Sequence, residues 1–308
     1  VDQVYAEQVL KAFEESTGIR VQAVYDVEAT KTVGLAQRLL SERDRPQADV
    51  FWNGEFVQTM VLKEEGVLAP FQVADEAGLP PEYVDPEGYW AAIGGRARVI
   101  IVNTDLVAAD DAPNSIYDLL SEAHDSRRIA LANPLFGTTL TQAAALYADS
   151  GADVARTFYS DVVARGVQVV DGNSVVRDQV AGGQLAWGLT DTDDACGAIL
   201  KGQPVDVIFP DQAPGQMGTL VIPNTVAQVA GGPNPAEAQA LIDFLLSPEG
   251  EALMVELDWI QIPVHVMPED VAPSCFAGEE VRGMRVGFEE IYDHLSAAQD
   301  DLHDLFVR

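Results

Sequence analysis

Residues 188–195 read GLTDTDDA, and Asp191, Asp193 and Asp194 set three carboxylates within four positions, directly after an apolar run that ends at Leu189. Like charges this close are unfavourable unless water, helix amides, a cation or a reacting group takes up their field. Hard cations such as Fe(III) and Ca²⁺ bind through oxygen ligands. One or two acids at a strand end that opens a helix need only the helix dipole. A calcium loop beginning at Asp191 fails, because its sixth position is Cys196 in place of Gly and its twelfth is Gly202 in place of Glu. Paired carboxylates also suit acid–base hydrolysis. No GxSxG elbow, P-loop, GxGxxG or HExxH accompanies them, and Ser174 sits in GNSVV, which is not a nucleophile motif. The chain therefore reads as a binding protein and not as an enzyme.

A chain of 308 residues can bury a full core and suggests two lobes. Lys plus Arg total 18 against 49 Asp plus Glu, a formal net charge of −31. Phosphate backbones and anionic membranes are repelled on average, which argues against nucleic acid as a partner. Such a surface also serves solubility or a saline medium. No run approaches the ~20 apolar residues of a membrane span, and no signal segment stands at the start of this chain. Cys196 and Cys275 are too few for a disulfide scaffold, although one bridge is open to them in an oxidising compartment.

The elements that must position the acids follow from periodicity. Val4, Val9, Leu10 and Phe13 predict a first helix that stops at Gly18. IRVQAVY (19–25) alternates as a strand, TKTVGLAQRLLSER (30–43) reads as a helix, and ADVFW (48–52) as a buried strand. The βαβ rhythm continues through ARVIIVN, RIALAN, a helix near TTLTQAAALYA, VQVV, a helix near SVVRDQVA and LAWGL. After VDVIF and a Pro/Gly-rich break come the extended TLVIPNTVAQVA and a helix near 235–246 that restarts at Ser247 and Pro248. An α/β fold with mostly parallel sheets is expected.

Several stretches in this order, VLKAFEESTGIRVQAVY, ADVFWNGE, ANPLFGTTLTQAAALYA, GNSVVRDQVAGGQLAWGLTDTDDA, FPDQ and GTLVIPNTVAQV followed by PNPAEAQALIDFLLSPEGE, make the chain resemble the extracytoplasmic solute-binding proteins of ABC importers, in their ferric-iron-type branch. The resemblance implies the two-lobed type II periplasmic-binding-protein fold, each lobe a mixed, mostly parallel sheet flanked by helices, with a cleft between. It places lobe one at 1–103 plus 222–308, lobe two at 104–221, and crossover hinge strands near Val102 and Leu220. It also implies a monomer outside the cytoplasm, periplasmic or lipid-anchored, that hands its ligand to an inner-membrane ABC permease. The family's usual first strand would precede Val1.

The same resemblance turns six loops toward the cleft. Asp2, Glu55 and Asp193 become the expected oxygen ligands for ferric iron or another hard cation, with or without a bridging anion, and Glu28 and Asp191 the supporting acids. Iron-binding relatives carry two adjacent tyrosines where this chain has Thr192 and Asp193, a departure that counts against tyrosinate capture of iron. The alternative cargo is a phosphorylated or carboxylated small molecule. For that cargo the expected contacts are Lys31, Thr32, Thr138, Thr139 and Ser174 at helix starts, whose free amides suit anions, with Trp52 as a wall. Small hydroxyl residues are also ordinary N-caps, which satisfy those amides without a ligand. A non-transport ligand sensor shares the fold.

Overall fold

The computed structural model describes residues 3–25, 33–74, 78–257, 260–265, 275 and 281–307. In chain order its elements are α1 (Gln3–Thr17), α2 (Val33–Ser41), β1 (Val50–Asn53), α3 (Val57–Glu64), β2 (Leu68–Ala69) and β3 (Ala91–Asn103). There follow β4 (Ile129–Ala132), α4 (Gly137–Ser150), α5 (Ala152–Arg165), β5 (Gln168–Val170), α6 (Asn173–Ala181), β6 (Trp187–Asp191), α7 (Thr192–Leu200) and β7 (Val205–Ile208). The chain closes with β8 (Val221–Val229), α8 (Pro235–Leu245), α9 (Pro248–Glu256) and α10 (Phe288–Phe306). Two compact units divide it: Val1–Gly95 with Ile222–Gly278, and Arg96–Val221 with Glu279–Arg308.

In the first unit, β1 and β2 both pair antiparallel with β8. Val9, Leu10 and Phe13 bury one stripe of α1 against Ile93, Val226, Ile242 and Leu245. Gly18, at φ 75, ends α1 and donates its amide to Glu14 O at 2.9 Å. The restart between α8 and α9 is a capped one, with Ser247 Oγ accepting from Gly250 N at 3.0 Å. The predicted strand at 19–25 forms no ladder among the described residues, and the Val21 amide is taken instead by the Glu14 side chain at 2.7 Å.

The second unit holds the sheet that carries the acids. β4 runs parallel to β5 and β6, whereas β3 pairs antiparallel with β6 on one side and β7 on the other. Among the described strands, parallel ladders are confined to β4 and its neighbours. The expectation of mostly parallel sheets does not hold among the described strands, because the long strands β3 and β8 run against their partners. The final helix α10 packs on α4 and α5. Ile291, Ala298 and Leu302 are buried on its inner face, and Tyr147 Oη donates to Asp301 Oδ2 at 2.9 Å. This packing puts the last segment with the second unit, where the resemblance expected it in lobe one. Both cysteines are disulfide-bonded.

Gly188, in the middle of β6, lies opposite Ile101 of β3 and Ala130 of β4. A Cβ added there would stand 2.5 Å from Val176 Cγ1 of α6 and 2.8 Å from Ala130 O, so any side chain pries α6 off the sheet. Gly188→Ala is expected to lower the unfolding free energy by about 1–3 kcal/mol. Urea denaturation checks this, and an unchanged midpoint would contradict the close packing.

Candidate functional site

Cross-strand register sets the site. In the antiparallel β3–β6 pair Arg98 lies opposite Asp191, so their side chains stand side by side on one face. Arg98 is fully buried and Asp191 is 2% exposed. Arg98 Nη1 donates to Asp191 Oδ1 at 2.6 Å, to Asn173 Oδ1 at 2.9 Å and to Thr138 Oγ1 at 3.2 Å, and its Nε donates to Gln142 Oε1 at 3.1 Å. Asp191 Oδ2 in turn accepts from Thr138 Oγ1 at 2.7 Å and Asn173 Nδ2 at 2.9 Å. One guanidinium therefore gathers the first turns of α4 and α6 and the residue that opens α7. Its Nη2 is buried and has no partner among the described residues.

The three helix starts share a second property. The residues that precede them, Phe136, Gly172 and Asp191, give no side-chain cap. Asp191 is the right type for a cap, but its carboxylate is turned to Arg98. The first amides of each helix, which no helix can pair internally, are thus not met by their own N-cap. Open space surrounds the positions that side chains would fill at Gly137, at φ 61, and at Gly172.

The three acids are not bare. Asp191 pairs with Arg98 at 2.6 Å, Asp193 with Arg96 at 3.3 Å and Asp194 with Arg177 at 2.8 Å. Three arginines thus answer three aspartates. Carboxylate oxygens of Asp191, Asp193 and Asp194 lie within 4.8 Å of one another, close enough to share a cation in geometry. Burial first, and then the charges of Asp193 and Asp191, push Asp194 up to about 7, against the pull of Arg177 and Arg96.

The sequence-predicted residues scatter around this centre. Thr138 belongs to it, whereas Thr139 is buried in α4 and Ser174 is exposed in the first turn of α6. Neither Thr138, Thr139 nor Ser174 is an N-cap, since each falls inside its helix. Asp191 belongs to the centre too, with both oxygens engaged by protein donors. Asp193 sits at its edge. Thr192 is fully buried, with its Oγ1 accepting from Ala97 N at 3.1 Å. Glu55 and Trp52 lie in the other unit. Glu55 closes the start of α3, accepting Val57 N at 2.6 Å and Gln58 N at 3.0 Å, and Trp52 packs half-buried on that unit's core. Asp2, Glu28, Lys31 and Thr32 lie outside the described residues. Arg98, Gln142, Arg96 and Arg177 escaped the sequence reading. The available signal was Arg96 and Arg98 at the head of the apolar run RARVIIV, since a buried charge demands a partner.

The raised Asp194 has a signed consequence. Between the ordinary carboxylate value and about 7 the folded chain holds a proton that the unfolded chain releases, so this group's contribution to stability falls as pH rises through that window. Asp194→Asn, which holds no charge, is expected to gain melting temperature relative to the parent as pH rises from about 4 to 8. Thermal melts across that range check it, and a difference independent of pH would show that Asp194 does not titrate there.

The description of bacterial extracellular solute-binding proteins matches residues 8–269 of this chain. Among known proteins, iron uptake protein A1 of Synechocystis is 26% identical over 79% of this chain and 68% of its own length. A 2-aminoethylphosphonate-binding periplasmic protein assigned in Salmonella typhimurium is 26% identical over 85% of this chain and 74% of its own. A Trichodesmium protein solved with iron and citrate superposes with a TM-score of 0.86, at 20% identity, over 99% of this chain and 96% of that one. That likeness extends the two-lobed α/β fold over the whole chain. With a family match of this extent, the chain belongs to the bacterial extracellular solute-binding proteins.

Proposed function

We propose that the chain is the solute-binding component of an ABC importer, working outside the cytoplasm with a membrane permease, and that it captures a small solute through an anionic phosphoryl or carboxyl group. One observation carries this reading. Three helix starts without side-chain caps converge on a buried guanidinium whose Nη2 has no partner among the described residues. Helix N-termini and an arginine fork are both anion receptors. The Thr138, Asn173 and Asp191 side chains already satisfy one another, so they frame the seat, and the amides with Arg98 Nη2 remain to hold the ligand. A disulfide suits an oxidising, extracytoplasmic compartment. No helix among the described residues is long and apolar enough to cross a membrane.

Ferric iron, with or without a bridging anion, is the second reading. The proximity of the Asp191, Asp193 and Asp194 oxygens favours it, as does a relative named for iron uptake. Against it, each acid already has an arginine, Asp191 is saturated, and Thr192 is buried against Ala97 N where a metal-binding tyrosine would have to reach out. A hard cation would have to displace Arg96 and Arg177.

A thermal-shift panel of inorganic phosphate, 2-aminoethylphosphonate and ferric citrate separates the two. Binding at a hundredfold excess over Kd stabilises by about 2.7 kcal/mol. The phosphorus anions are expected to shift the melt, Arg98→Lys to weaken them at least about tenfold through loss of the fork, and Asp193→Ala to leave them bound. Stabilisation by ferric citrate alone, abolished in Asp193→Ala, would overturn the anion reading in favour of iron.

A further inference from the structure

The residue in front of α4 is the least expected of the three that open the site helices. Ser, Thr, Asp and Asn are the residues that favour this position, and bulky apolar ones are the worst. Here the sequence places Phe136, in extended backbone, making no cap and 54% exposed as a residue. The backbone that presents it is tied down on both sides. Asn133 N donates to Val170 O at 2.8 Å, Leu135 N donates to Asn133 Oδ1 at 3.1 Å, and Gln299 Nε2 of α10 donates to Leu135 O at 3.3 Å. Leu140 N in the first turn of α4 donates to Phe136 O at 3.3 Å. A large, half-exposed apolar residue is thus carried on an anchored backbone, one residue before Gly137 and two before Thr138, whose hydroxyl belongs to the Arg98 network.

Folding alone does not call for that ring. It takes the place of a cap and leaves much of its apolar surface in water. A bound solute would cover it.

From this we infer that Phe136 is a specificity-determining residue, which packs against a flat or ring-shaped body carried by the anionic group and so selects ring-bearing phosphates or carboxylates over small inorganic anions. The inference rests on the anion seat proposed above and adds the class of solute. Aromatic faces attract other rings and the C–H faces of sugars through dispersion and quadrupole terms. The division of labour is that common to small-molecule sites: few polar groups fix orientation, and apolar wall supplies contact area.

Isothermal titration of the full chain with methyl phosphate, inorganic phosphate and phenyl phosphate tests it, because all three offer the same anion and only the last a ring. The parent protein is expected to bind phenyl phosphate about tenfold more tightly than methyl phosphate. Phe136→Ala should erase that ratio while changing inorganic phosphate less than about twofold, and Phe136→Tyr should keep it. A ratio that survives in Phe136→Ala, or that is absent from the parent protein, would overturn the role of the ring while leaving the anion seat intact. Equal weakening of all three ligands in Phe136→Ala would mean that the residue only shapes the helix start, and would overturn it too. If none of the three binds the parent protein, the anion seat itself fails, and the inference with it.

Discussion

The Arg98–Asp191 pair is the constraint on which the second unit is organised. Burying either charge alone would be costly by several kcal/mol, and even a buried pair is sustained only when further hydrogen bonds satisfy the remaining donors and acceptors. Here β3 supplies the arginine, β6 the aspartate, α4 Thr138 and Gln142, and α6 Asn173. Antiparallel register makes the pair adjacent, and the network then fixes where the adjoining helices begin. A positive guanidinium among positive helix ends is unfavourable by itself. Asp191 offsets that field, and one further anion beside Nη2 would complete the balance.

The same pair explains the acids that follow it. Asp193 and Asp194 are the first-turn acids of α7, where a helix dipole welcomes negative charge, and Arg96 and Arg177 stand against them. The arginines do not cancel the repulsion within the cluster, as the high protonation range of Asp194 records. The group mixes signs, with the buried Arg98 guanidinium on one side and the carboxylates of Asp191, Asp193 and Asp194 on the other.

Much of the fold was legible in the sequence because its signals are local. Helical spacing in α1, apolar runs at β3, β4 and β6, and Ser247–Pro248 at the start of α9 each need only a window of a few residues. The segment 19–25 alternates as a strand would, yet among the described residues it forms no ladder, and its Val21 amide bonds the Glu14 carboxylate. The site was legible only in part, for a related reason. The acidic stretch stood out, and Thr138 was recognised at a helix start. The arginines that neutralise those acids lie far away in sequence, and only register brings Arg98 opposite Asp191. Glu55 shows the reverse case: an acid at a promising loop position whose oxygens are engaged by the amides of its own helix. Phe136 had no signal at all, since an apolar residue is recognised as out of place only once its exposure and its helix start are known.

The most direct measurement follows amide and arginine side-chain resonances by NMR while inorganic phosphate is added to the isotope-labelled chain, with Arg98→Lys identifying the Arg98 signals. An anion seat built on Arg98 requires saturable shifts at Arg98 Nη2 and at the amides of Gly137, Thr138, Asn173 and Ser174. Shifts absent from those groups, or amide shifts of the same size and midpoint in Arg98→Lys, would contradict it.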